Sequence, residues 1–443
     1  MSTTAAPLEN ALNASTRSSD RFLRVIPLAF ITYGLAYFDR VNFGYAEAHG
    51  LDATLGITPK FSSLITASFF IGYTLFQIPG AAYAARRSAK KLVFYALILW
   101  GLLCMAQGLI MNPWLLLAAR TLLGVVESVV FPAMLVFMTH WFTKREKSRA
   151  NTLLILGNPI TMASVSIISG VLIDYFDKHK VFRLAGWQMM FVVEGLPSII
   201  WAGFWLYLAS DRPRDAKWLS PAEAEAIQQT LNAEQAGIAA IPNYWAAFLD
   251  TRVMTLSFMY FLWSIGTYGF VFWLPKAVTN SHGGSMSVVG LLCAIPYMLA
   301  AVLMLVVSYF CDRSLNRRLF IWPAMILGGI AFAIAAFTGL QDFWPAFIAL
   351  CFAGASVYTP CGPLWALIAE TVPRNVVGES MALVNSAGAV GGFVGGYMVG
   401  RLTEHSPNPG FWFLAGCLIA AGLTTLLVRK PAPPPQGFEV VTR

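Results

Sequence analysis

Stretches of about twenty apolar residues recur from one end of this chain to the other, separated only by short polar breaks. That feature decides the solvent. A helix needs roughly twenty residues to cross about 30 Å of hydrocarbon, and only elements that satisfy their own backbone hydrogen bonds survive there. Twelve such runs are read, with approximate limits 22–46, 61–83, 91–110, 113–140, 149–174, 189–209, 252–277, 286–310, 319–338, 343–369, 378–401 and 409–429. Composition agrees, because 57% hydrophobic residues against 12% charged ones lies far from the roughly one-quarter charged residues of soluble domains. The first run is longer than a signal-peptide core and continues into Asp39 and Arg40 without a cleavage pattern, so it is expected to stay in the mature protein.

Lys and Arg collect on alternate loops. With the amino terminus inside, the inner loops gather Arg17, Arg21 and Arg24, then Arg86, Arg87, Lys90 and Lys91, then Lys144, Arg145, Lys147 and Arg149. The second half adds Arg313, Arg317, Arg318, Arg374, Arg429 and Lys430. About twenty-two of the thirty basic residues fall inside and about six outside. Both termini are therefore expected in the cytoplasm, with the chain in the inner (plasma) membrane of a bacterium. The same dispersal accounts for the net charge of +8 through anionic headgroups of the lipid bilayer, with no nucleic-acid partner. The six cysteines show no pairing or metal spacing and read as buried fillers. The five histidines lie near loops or span ends, form no metal spacing, and are expected to face solvent.

Six runs, a polar segment and six more runs suggest an internal repeat. The division is a tail over 1–21, a six-helix bundle over 22–209, a linker over 210–251, a second bundle over 252–430 and a tail over 431–443. Within the linker, Ser220-Pro221-Ala222-Glu223 is a capping box with proline at the first helical position, predicting a short helix to about residue 235. A basic cluster follows the second and the eighth runs. Ser308-Tyr-Phe-Cys-Asp312-Arg313-Ser-Leu-Asn-Arg317-Arg318 resembles the Gly-x-x-x-Asp-Arg-x-Gly-Arg-Arg loop signature of the major facilitator superfamily, with Ser308 in place of the leading glycine. The earlier cluster, residues 80–91, keeps Gly80 and the bases but has Ala84 and Ala85 where the aspartate belongs. Asp312, Arg313 and Arg317 are thus candidates for a gating loop that holds one access state. A plain positive-inside loop is the alternative at both places.

Four further stretches narrow the resemblance. Phe38-Asp39-Arg40-Val41-Asn42, Ala119-Arg120 through Gly124 to Glu127, Asp211-Arg212-Pro213 through Ala216-Lys217-Trp218-Leu219, and Val377-Gly378 through Asn385 to Gly388 are similar to the anion:cation symporter family. The resemblance implies the major facilitator fold, an all-α membrane protein of twelve transmembrane helices in two six-helix bundles. It also implies a proton-coupled carrier of small carboxylates such as sugar acids, tartrate, phthalate or hydroxyphenylacetate, without choosing among them. No cofactor is expected, and a monomer is.

Charges inside the runs are few. An ionisable side chain in hydrocarbon costs at least about 2.5–3.5 kcal/mol, so such residues usually face a cavity and act there. Away from the ends of the runs they are Asp39 and Arg40 in the first and Arg120 and Glu127 in the fourth. Arg120 and Glu127 stand roughly 10 Å apart along one helix face, too far for a direct bond, so each is free to meet the first run. Asn42 shares the face of Asp39. A guanidinium grips a carboxylate through parallel hydrogen bonds, which assigns Arg40 and Arg120 to substrate. Asp39 and Glu127 are then the proton carriers, since burial favours a neutral carboxyl and a nearby arginine a charged one. The alternative is a set of ion pairs that only holds the bundle together. Tyr73, Gln77, Trp365 and Asn385 are expected to complete the substrate site, and the resemblance places positions like Tyr73, Trp365 and Asn385 on the cavity wall. Glu194 and Glu370 read as structural.

Gly388, Gly392, Gly396 and Gly400, with Gly391 and Gly395 alongside, form a small-residue packing face in the eleventh run. Pro159, Pro275, Pro360 and Pro363 mark expected kinks. With no phosphate loop and no nucleophile elbow, an enzyme is not expected. Two rival functions share the outline. A multidrug proton antiporter of the same fold should carry Gly-x-x-x-Gly-Pro-x-x-Gly-Gly in the fifth run, where Leu156-Gly157-Asn158-Pro159-Ile160-Thr161-Met162 lacks the closing glycines. A receptor on a carrier fold would need a partner domain that residues 210–251 are too short to supply.

Overall fold

The computed structural model describes residues 5–236, 250–314, 316–339, 342–371, 377–404, 406 and 408–428, and these are almost entirely helical. The helices are α1 Ala5–Ala48, α2 Leu51–Leu55, α3 Pro59–Leu75, α4 Gln77–Arg86, α5 Ala89–Leu109, α6 Pro113–Ser128, α7 Val130–Trp141, α8 Lys144–His179 and α9 Gly186–Leu208. After α10 Pro221–Ala236 in the linker come α11 Thr251–His282, α12 Met286–Ser314, α13 Arg317–Thr338, α14 Phe343–Tyr358, α15 Cys361–Thr371, α16 Val377–Leu402 and α17 Asn408–Leu427.

Among the described residues, eleven stretches are long and apolar enough to cross a membrane. The expected second span is instead the pair α3 and α4, split at Phe76, whose φ of −110° and ψ of 3° leave the helix. Pro79 explains the split, since it has no N–H to offer the Leu75 carbonyl. The same offset recurs where α6 meets α7, three residues before Pro132, and where α14 meets α15, with Pro360 and Pro363 at the junction. Of the expected kinks, Pro159 and Pro275 lie inside the continuous helices α8 and α11.

Consecutive spans run in opposite directions, so the bundle has a near face, where α1 begins, and a far face, where α1 ends. On the far face the two halves touch through polar groups. Asp174 of α8 accepts from the main-chain N–H groups of Met286 (2.8 Å) and Ser287 (2.6 Å), capping the start of α12. Lys276 of α11 pairs with Asp52 of α2 at 3.1 Å. The glycine face of α16 does pack closely: a Cβ on Gly391 would lie 2.3 Å from the Phe261 carbonyl oxygen of α11.

On the near face, Asp211 caps the helix that follows the loop at residues 80–91. Its carboxylate accepts from the Lys90 N–H (2.8 Å) and from the Ser88 hydroxyl, fixing the start of α5 from 121 residues away. Arg21 bonds the Trp141 carbonyl (3.1 Å) and Glu146 (2.7 Å), tying α1 to α7 and α8. The linker helix α10 carries its capping box, with the Ser220 N–H donating to Glu223 at 3.1 Å and the Glu223 N–H returning to the Ser220 hydroxyl at 3.4 Å. Residues 237–249 of the linker and the tail from 429 lie outside the described residues, as does the side chain of Asp312. Arg313 lies over the Tyr309 ring at 4.2 Å, and Arg317 donates to the Cys311 sulfur at 3.4 Å. Two of the histidines expected in solvent have partners instead: His49 pairs with Asp177, and His140 bonds the Asp211 carbonyl.

Candidate functional site

Two close-packed helices bring the buried charges together. A Cβ on Gly124 would lie 1.9 Å from the Phe69 carbonyl oxygen, so only glycine allows α6 to lie directly on α3. This places Glu127 and Arg120 against α1. Adjacent residues on a helix point about 100° apart, and the neighbours Asp39 and Arg40 serve different surroundings. Arg40 turns toward the middle of the molecule, where its Nε donates to Glu127 Oε2 at 3.1 Å, with both side chains almost wholly buried. Tyr37 and Tyr73 each face the guanidinium at 4.6 Å. From the other half, the Tyr268 hydroxyl of α11 accepts from Arg40 at 3.4 Å. The second oxygen of Glu127 has no hydrogen-bond partner.

Asp39 turns into the amino-terminal half. Asn42 donates to its Oδ1 at 3.2 Å, and its Oδ2 has no hydrogen-bond partner. Arg120 also belongs to this interior. It donates to the main-chain carbonyl of Asp39 at 2.8 Å and lies over the rings of Phe43 (4.8 Å) and Phe69 (5.4 Å). Its side chain is fully buried and takes no part in the cavity wall. The substrate-gripping place expected for Arg120 is therefore not where its side chain lies, because the rings of Phe43 and Phe69 occupy its faces.

A central cavity of about 60 Å³ lies between the halves. Of the residues singled out in the sequence, Arg40, Tyr73, Trp365 and Asn385 line it, whereas Asp39, Asn42, Gln77, Arg120 and Glu127 stand behind the wall. Gln77 still reaches the cavity through a partner, accepting from the Asn385 amide at 2.6 Å across the two halves. The wall also includes Tyr33, Tyr37, Tyr260, Trp263 and Tyr268, which sequence reasoning missed. A signal existed: Tyr33, Tyr37 and Arg40 follow i, i+4, i+7 spacing on one face of α1. Toward the far face, Phe70 stands against Tyr268 (4.6 Å) and Phe272 (6.0 Å). Beyond that layer opens a second cavity of about 830 Å³, lined by Glu47, Lys276 and Glu404 among others.

Glu194 is buried in the amino-terminal half, where it accepts from Ser169 at 2.6 Å. The side chain of Glu370 lies outside the described residues. Among the described residues no His, Cys, Asp and Glu side chains gather in a group suited to a metal ion.

Comparison with known proteins extends these observations. The sequence profile of the Major Facilitator Superfamily matches residues 29–396 and 277–441. The chain is 31% identical over 418 residues to a protein of Agrobacterium vitis named "Putative tartrate transporter", covering 94% of this chain and 95% of that one. It is 30% identical to a "Quinolone resistance transporter" of Acinetobacter baumannii, covering 91% and 93%. Among solved structures, the inward-open xylose transporter XylE from E. coli superposes with a TM-score of 0.73 at 13% identity, covering 94% of this chain and 97% of that one. The relatives are transporters rather than enzymes, and the shared fold is the twelve-span arrangement of two bundles. Profile, relatives and fold agree that this multi-pass membrane protein belongs to the Major Facilitator Superfamily.

Proposed function

We propose that the chain is a proton-coupled symporter that takes up a small organic anion, with both termini in the cytoplasm of a bacterial cell and the near face turned inward. The observation that carries the reading is the Arg40–Glu127 pair at the wall of the central cavity, 3.1 Å apart and out of contact with water. A buried arginine committed to a carboxylate has little left for a second one. When a proton neutralises Glu127, the guanidinium is released to hold a substrate carboxylate in its place. Proton and anion then stabilise the same state, which is symport by linkage. Alternating access between the two halves carries both across.

Asp39 and Arg120 act in this scheme as organisers behind the wall, and Asp39 is a second station for the proton. Tyr73, Trp365 and Asn385 shape the space around the anion. The protein works as a monomer, with protons, the anion and the bilayer as its only partners. The test uses purified protein in proteoliposomes, supplied with labelled sugar acids, tartrate and aromatic acids under an imposed pH gradient. Glu127→Gln fixes the neutral form, so counterflow exchange should persist while uphill accumulation driven by the gradient disappears. Full accumulation by Glu127→Gln would mean that the proton travels elsewhere, with Asp39 next to be tried. Transport of only cations or neutral sugars by the unaltered protein would refute the anion reading.

Export of drugs is a second reading, favoured by the likeness to the quinolone resistance transporter. The direction of pH-driven flux separates the two.

A further inference from the structure

The central cavity is large in aromatic surface and poor in charge. Among the described residues that line it, Arg40 is the only Lys, Arg, His, Asp or Glu. The next basic group, Arg120, is fully buried behind the rings of Phe43 and Phe69 and bonds the Asp39 carbonyl. Lys276 belongs to the far cavity, beyond Phe70 and Phe272, and is paired with Asp52. The carboxyl-terminal half contributes Tyr260, Trp263, Tyr268, Trp365 and Asn385, all neutral.

We infer that this site takes its substrate as a monoanion and rejects ionised dicarboxylates. The inference rests on the anion-carrier reading above and sharpens it. With Glu127 ionised, Arg40 is balanced and the wall is neutral. With Glu127 neutral, the wall carries a single positive charge in surroundings of low dielectric, and one carboxylate restores balance. A second carboxylate would be desolvated with no cation to meet it. It would also face ring surfaces, whose quadrupole presents negative charge. The hydroxyls of Tyr37, Tyr73 and Tyr268 and the Asn385 amide suit the neutral remainder of the molecule, whether hydroxyl groups or a ring. The chain would in this respect differ from the dicarboxylate named in its Agrobacterium relative.

The sharpest test keeps molecular shape and changes charge alone. Binding of phthalate and of its monomethyl ester, and of tartrate and its monomethyl ester, is measured on the purified full-length protein by intrinsic tryptophan fluorescence at neutral pH. Gluconate and benzoate serve as further monoanions. At least one monoester should bind ten-fold or more tighter than its diacid. Tyr268→Lys, which sets a second cation beside Arg40, should narrow or reverse that ratio. Diacids that bind the unaltered protein as tightly as their monoesters, or tighter, overturn the inference, and this pair of measurements stands even where Tyr268→Lys fails to fold. If no carboxylate of either kind binds, the anion-carrier reading itself falls, which is a separate outcome.

Discussion

The two halves of the molecule share a helical plan but divide the work of the central cavity unequally. Asp39, Arg40, Arg120 and Glu127 all lie on α1 and α6, within one half and within reach of one another. The facing half offers the tyrosines and tryptophans of α11 and α15 and the amide of α16. On the proposed reading, the sign of the cargo and its shape are set by different bundles. A charge network confined to one half would keep its internal hydrogen bonds under the proposed alternating access. Among the described residues, two hydrogen bonds link the halves at the cavity, Arg40 to Tyr268 at 3.4 Å and Asn385 to Gln77 at 2.6 Å.

That division predicts a ranking. Arg40→Ala removes the only charge among the described wall residues and strands Glu127, so carboxylate binding should fall at least a hundred-fold, about 3 kcal/mol. Titration of tryptophan fluorescence on purified protein reads this directly. Gly124→Ala comes next, because its methyl group would overlap the Phe69 carbonyl. Forcing α6 off α3 should lower stability by about 1–3 kcal/mol and weaken binding with it, as a thermal melt and the same titration would report together. Arg120→Lys keeps the charge but loses the planar fork that reaches the Asp39 carbonyl. It should cost about ten-fold in transport and less in binding than Arg40→Lys. Equal losses in both variants would place Arg120 in direct contact with substrate. Asn385→Ala has the smallest expected effect, a few-fold loss worth about 1 kcal/mol for one hydrogen bond. If it matched Arg40→Ala, the division between halves would collapse.

Much of the fold was legible because the bilayer imposes one length and one composition on every span. The four charged residues stood out for the same reason, since charge in an apolar run is costly. What stayed hidden depended on rotation about helix axes and on contacts distant in sequence. Arg120 reads like Arg40 from composition, but α6 lies so close to α3 that Arg120 is directed at the α1 backbone rather than the cavity. Tyr268 and Trp263 were lost among many aromatic residues in apolar runs, where a tyrosine in the wall and one in the packing look alike. Asp211 caps the start of α5 from far along the chain, which no local pattern announces. The split at Phe76 was foreshadowed only by Pro79.

The cap that Asp174 places on α12 is one of the polar links that the far face would lose if the halves part there. Two N–H···O bonds and the nearby Lys276–Asp52 pair are partly open to water, so each group regains hydration when its partner leaves. The net loss is then about 1 kcal/mol or less per contact, whereas apolar surface exposed at the same seam would cost about 25 cal/mol per Å². The polar links are thus the inexpensive part of this seam, and the close packing of α8 on α12, where a Cβ on Gly170 would lie 2.2 Å from the Met286 carbonyl oxygen, is what parting the halves must also give up. On the proposed alternating access, an anion with unequal affinity for closed and parted forms shifts their populations.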